Sequence, residues 1–349
     1  NRQMPIASVV SSNFRKKRNE MRKELITIIA LVMTMNFYGQ TRDNYFDNGI
    51  EKIKKKDYNG AILDFTKIIE NNPNDTSAYF NRGSAKLNLE DYNGAIQDLS
   101  KFLEFKPKEE YAFYLRGLAK SYKGSYNESI VDFTKAIEIN PNVDYYYFNR
   151  GLANLNIVDY NEAISDYNKS IELNSNNAGA YYYRGVIKNY LQEYKAAILD
   201  FDKAIEINPN EATQYSDRGV AKRNLKDYKG ALLDYNKAIE LNPKIAVTYY
   251  FRAITKNYLF DRKGAIEDYT KAIEINPIDE NFYCNRGITK GMIKDYDGAI
   301  ADFTKAIEIN PNNAKAYRER GRVNAKSKRK NEALEDYKKV RELEGNSKL

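Results

Sequence analysis

The chain has 349 residues, a formal net charge of +8, no histidine, no tryptophan and one cysteine, Cys284. Without histidine, neither a Ser-His-Asp nor a Cys-His nucleophile system can be built, and a lone cysteine excludes a four-cysteine zinc site and any intrachain disulfide. A hydrophobic share of 42% beside 30% charged residues fits a folded chain, and seven Lys/Arg against two Glu in residues 1–39 put +5 of the charge there, leaving +3 for the rest, too dilute for a phosphate-binding face.

Residues 1–20 precede Met21 and read as upstream sequence outside the fold. Arg22 and Lys23 then open an eleven-residue apolar run, Leu25 to Met35, which turns polar before Gly39. That order predicts a signal peptide over 21–39, with the mature chain beginning near Gln40. The run is too short for a spanning helix, which needs roughly 20 residues. The competing reading is a buried or uncleaved anchoring helix. No cysteine lies near residue 40, so lipid attachment there is excluded.

Beyond the leader the sequence repeats. Pro73, Pro107, Pro141, Pro209, Pro243, Pro277 and Pro311 are spaced by 34 or twice 34 residues, and Ser175 fills the vacant place. Arg-Gly recurs in register from Arg82-Gly83 to Arg320-Gly321, with Arg252-Ala253 as the one variant. Taking Arg42 as position 1, nine repeats run without insertion over 42–75, 76–109, 110–143, 144–177, 178–211, 212–245, 246–279, 280–313 and 314–347. Within each, an aromatic at position 4 lies four residues before position 8, one face of a first helix. Position 20 is Ala in all but one repeat, position 24 aromatic in all but one and position 27 mostly Ala, a stripe of a second helix. The Asn-Pro at the end of most repeats removes a backbone donor and pushes its predecessor out of the helical region. Each repeat therefore reads helix, turn, helix, break.

This pattern resembles the tetratricopeptide repeat (TPR) family: an aromatic at 4, Gly at 8, Ala at 20, an aromatic at 24, Ala at 27 and Pro at 32. The chain departs from it with Arg at 7 and mostly Lys at 11. The resemblance implies an all-α, right-handed superhelical solenoid of nine helix-turn-helix units. First helices would line its concave side and second helices its convex side. With the leader, it points to an exported bacterial type, periplasmic or secreted from a Gram-negative bacterium.

Three features compete for a functional reading. Asp at 23, Lys at 26 and Glu at 29 occur in all nine repeats; they read as a solvated face and structural ion pairs. Repeat 1 keeps Asp64 but carries Asn48 where most repeats have Arg at position 7. This predicts forward pairing, from Asp64–Arg82 to Asp302–Arg320, with Asp336 left over. The basic last repeat reads as an end cap. The third feature is aromatic. Position 5, which in the family lines the groove, holds Phe80, Tyr114, Phe148, Tyr182 and Tyr250, and later positions add Asn189, Tyr190, Asn224, Asn257 and Tyr258. Rings give contact area at small entropy cost, and amides can bond a peptide backbone. The Lys at 5 and Asn at 9 with which related repeats clamp an acidic C-terminus are missing.

The expectation is a non-catalytic protein- or peptide-binding scaffold. Its partner would be a protein or extended peptide with apolar or aromatic anchors. No cofactor, metal, nucleic acid or transmembrane span in the mature chain is expected. A glycan- or nucleic-acid-binding helical repeat is the alternative.

Overall fold

The computed structural model describes residues 40–345. The leader read over 21–39 and the upstream residues 1–20 lie outside the described residues.

The described residues form eighteen α-helices and no strand. They come as nine consecutive pairs: α1 (Gln40–Lys54) and α2 (Tyr58–Asn71); α3 (Thr76–Asn88) and α4 (Tyr92–Phe105); α5 (Glu110–Lys123) and α6 (Tyr126–Ile139); α7 (Asp144–Asn156) and α8 (Tyr160–Leu173); α9 (Ala178–Tyr190) and α10 (Tyr194–Ile207); α11 (Ala212–Asn224) and α12 (Tyr228–Leu241); α13 (Ala246–Tyr258) and α14 (Arg262–Ile275); α15 (Glu280–Met292) and α16 (Tyr296–Ile309); α17 (Ala314–Lys326) and α18 (Lys330–Gly345). The chain divides into two compact bodies, one ending at Ala180 and the other beginning at Tyr181, so the boundary falls inside α9.

The turn inside each repeat has one geometry. Position 15 takes a left-handed backbone in all nine repeats, though only Gly124 among them is a glycine. Val158 does so at φ 67°, which a β-branched residue adopts only under strain. The next N–H reaches back to the carbonyl at position 11, as from Asp91 to Lys86 at 3.0 Å, the closure expected of a left-handed helix end. The same residue then caps the second helix: the Asp91 carboxylate accepts from the Gly94 N–H at 2.9 Å, and Asp57, Asp227, Asp261 and Asp295 repeat the contact. At the far end, Asn72, Asn140 and Asn276 are extended before their prolines.

The two helices of a repeat meet through position 8 and the ring at 24. A Cβ on Gly117 would lie 2.8 Å from the Phe133 ring. Repeat 7 accommodates Ala253 against Tyr269, both fully buried. Phe65, Phe133, Tyr167, Phe201, Tyr235 and Phe303 are wholly enclosed at position 24, beside the fully buried alanine of position 20, or Ser129 in the repeat of Phe133. Burying such a side chain contributes about 1.5–3 kcal/mol, and every repeat but the second, with Leu99, and the ninth, with the half-buried Tyr337, encloses such a ring. Stability is thereby spread along the chain, as nearest-neighbour packing requires.

Candidate functional site

Each repeat buries a carboxylate beside the contact between its positions 8 and 24. Asp98 accepts from Arg82 Nε at 2.9 Å on Oδ2 and from Nη2 at 2.8 Å on Oδ1, and Lys86 Nζ stands 2.8 Å from Oδ2. The arrangement recurs with Asp132, Asp200, Asp234, Asp268 and Asp302. In repeats 4 and 9, Asn154 and Asn324 replace the lysine and donate to Asp166 and Asp336. The Arg and Asp therefore belong to one repeat, and the forward pairing expected from repeat 1 is incorrect. Asp64 is held by Lys52 at 2.7 Å, so Asn48 does not strand it, and Asp336 is held by Arg320. The physical reason is the helix contact itself. Positions 7 and 23 each precede the packed pair 8 and 24, and the Asp98 Cβ lies 3.2 Å from the site of a Gly83 Cβ. The arginine joins neighbours through its third nitrogen. Arg116 Nη1 donates to Ser100 at 3.0 Å, and Arg286 Nη1 to Thr270 at 3.0 Å, in the preceding repeat. On the opposite face, Lys at 26 meets Glu at 29 as an exposed pair, from Lys67–Glu70 to Lys339–Glu342.

The residues proposed for a groove divide sharply. Phe80 and Tyr114 are core, 4% and 6% exposed; Phe80 packs on Phe102, and Tyr114 on Tyr146. Their faces are spent on packing, so the reading of these two as ligand-contacting rings is corrected. Phe148 is half-buried against Tyr167 and the backbone of Gly179. Tyr182 and Tyr250 are half-buried as well. Each packs its ring on the position-24 ring of its own repeat, Phe201 and Tyr269. Tyr190 and Tyr258 are open, at 37% and 57% exposure, and Tyr258 stacks on Tyr228 at 5.0 Å. The amides are mostly engaged. Asn257 donates to Thr289 at 2.8 Å and accepts from Arg262, and Asn224 accepts from Arg223 at 3.4 Å. The Asn189 Oδ1 is buried with no hydrogen-bond partner.

A ladder that the sequence reading missed ties these tyrosines down. The hydroxyl at position 5 meets the side chain at position 6 of the next repeat: Tyr114 with Asn149 at 3.3 Å, Tyr182 with Asp217 at 2.7 Å, and Tyr250 with Asn285 at 3.1 Å. The signal was present as the run Asn81, Asn149, Asp217 and Asn285 at one register position. Burial pushes the Asp217 carboxyl up to about 6, against the pull of the Tyr182 hydroxyl. Burial also raises Tyr250 to about 12 and Cys284 to about 11, so both stay protonated at neutral pH. Arg223 lies over the Phe251 ring at 5.1 Å. No group of three or more His, Cys, Asp or Glu among the described residues is arranged to hold a metal ion. No helix among them is long and apolar enough to cross a membrane.

Tetratricopeptide-repeat profiles match residues 65–97, 111–143, 145–177, 178–211, 212–245, 246–279 and 281–313, well over half of the chain. The chain belongs to the tetratricopeptide-repeat family. Solved TPR structures share its fold. The C-terminal part of a TPR protein from Cytophaga hutchinsonii is 21% identical, with a TM-score of 0.57, over 68% of this chain and 97% of that one. The APC/C hetero-tetramer Cut9–Hcn1 is 18% identical, with a TM-score of 0.56, over 80% and 58%. YrrB, described as a TPR protein with an unusual peptide-binding site, is 26% identical over 53% and 95%, with a TM-score of 0.46. No curated protein matches the chain. In TPR terms, the Arg at 7 and Lys at 11 that set this chain apart are structural, since both serve the buried aspartate of their own repeat.

Proposed function

We propose that the chain is a non-catalytic scaffold that binds an extended protein segment with apolar or aromatic anchors along the first-helix face of its C-terminal body. The observation that carries this is the exposure of Tyr190 and Tyr258, two repeats apart at the end of α9 and α13. Both rings keep exposed surface, Tyr258 while stacked on Tyr228, whereas the hydroxyls of Tyr182 and Tyr250 are held by the next repeat. An exposed ring offers a partner large contact area with few rotamers to freeze. Membership of a repeat family whose members mediate protein–protein contacts supports the same reading. A nucleic acid fits less well, because the groove positions of the central repeats are nearly neutral.

The test is selection of a random-peptide library against the full chain. Enrichment of peptides with aromatic or branched aliphatic residues is expected. Affinity for an enriched peptide should fall by about 2 kcal/mol or more in a Tyr190→Ala, Tyr258→Ala double variant if these are anchor sites. Enriched peptides that bind the double variant unchanged, or no enrichment at all, would refute the reading.

The proposal extends to location. The basic–apolar–polar order over 21–39 supports export, to the periplasm or beyond, of a chain beginning near Gln40.

A further inference from the structure

Asp217 stands out among the carboxylates packed into this chain. The nine position-23 aspartates and Asp75 are buried, and each has a Lys or Arg at ion-pair distance. Asp217 is half-buried, and no Lys or Arg among the described residues pairs with it; the Tyr182 hydroxyl at 2.7 Å is its partner. A carboxylate withdrawn from water without a counter-ion is costly.

The repeats supply an internal control. Asn149 and Asn285 occupy the equivalent place and make the same inter-repeat link with a neutral amide, donating Nδ2–H to the Tyr114 and Tyr250 hydroxyls. The hydrogen bond that ties one repeat to the next therefore needs no charge. The charge of Asp217 is surplus to the fold. It lies on α11 in line with Val220 and Asn224, three and seven residues on, the stripe that carries the groove positions. Repeat 6 also has Ser216 at position 5, where repeats 5 and 7 carry Tyr182 and Tyr250, so it lacks the ring next in sequence to the carboxylate.

We propose that Asp217 receives a lysine or arginine side chain of the bound peptide, making a cation beside an apolar anchor the recognition element of the C-terminal body. This rests on the peptide-binding reading above. The ligand cation supplies the counter-ion that the chain itself withholds, with Tyr182 fixing the carboxylate to receive it.

The probe is the library-selected peptide itself, measured against the full chain. The enriched peptides should share a Lys or Arg at a fixed distance from the aromatic anchor. Asp217→Asn should weaken binding about tenfold or more, the usual scale for a hydrogen bond to a charged group. The variant should keep the wild-type circular dichroism, because asparagine is native at positions 149 and 285. Exchanging the peptide's Lys for norleucine should cost the wild type the same factor and cost Asp217→Asn nothing. Peptides that bind through Tyr258, losing affinity in Tyr258→Ala, yet show no cation preference or no loss in Asp217→Asn, overturn this inference and leave the groove standing. Absence of any enriched peptide overturns both.

Discussion

At the scale of single residues, Asp217 has a measurable signature without any ligand. Its folded-state pKa of about 6 lies above the ordinary carboxylate value. The folded chain thus holds this proton more tightly than the unfolded chain does. The site favours folding at low pH, and that contribution is lost as pH rises through about 6. Asp217→Asn removes the dependence. The stability difference between variant and wild type should shift in the variant's favour by on the order of 2 kcal/mol between about pH 4 and pH 7.5. Urea titrations at the two pH values check it, and a pH-independent difference would show that Asp217 is not desolvated. The type of residue at 217 was legible in the sequence. Its consequence was not, because its burial is a property of the folded chain and its hydroxyl partner, Tyr182, comes from another repeat.

At the scale of helices, identical charges do unequal work. Asp132 accepts from Arg116 and faces Lys120 at 2.8 Å with its side chain 2% exposed, while Lys135 and Glu138 pair in the open on α6. Asp132→Ala strands two cations at a helix–helix contact and should cost about 3–5 kcal/mol. Lys135→Ala should leave the denaturation midpoint unmoved. Chemical denaturation of the two variants side by side decides it, and equal effects would contradict the buried network. Both positions are invariant across the nine repeats, so repetition alone could not tell them apart. The pairing direction was misread for a related reason. Asn48 appeared to isolate Asp64, but Lys52 one turn later takes the place of the arginine. The signal that would have corrected this was the Gly–ring contact one residue on. Whichever positions pack at 8 and 24 bring 7 and 23 together.

For the whole molecule, the repeated packing makes every interior helix pair a variation on one plan. The last repeat ends that plan with charge: Arg318 pairs with Glu344 and Arg329 with Asp297, the polar finish a terminal repeat needs. At the other end, export predicts a shortened product. Intact mass of the protein recovered from the exported fraction should correspond to a chain starting near Gln40. A mass that retains Leu25–Met35 would rule out cleavage there.

The sequence by itself determined the helix-turn-helix period, the nine-fold repetition and the family. These follow from local rules: the spacing of apolar residues, the recurring Arg-Gly and the prolines that follow most second helices. It also identified which positions could reach a partner. Only the tertiary structure decided which of them keep exposed surface. Phe80 and Tyr114 share a register position with Tyr182 and Tyr250, yet the first two are sealed into the core and the latter remain partly open. Exposure at a first helix depends on the side chains that the next repeat presents to it. Tyr111 and Tyr146 enclose Phe80 and Tyr114, where Tyr182 meets the charged Asp217. Burial is a property of neighbouring repeats together, and no single 34-residue register carries it.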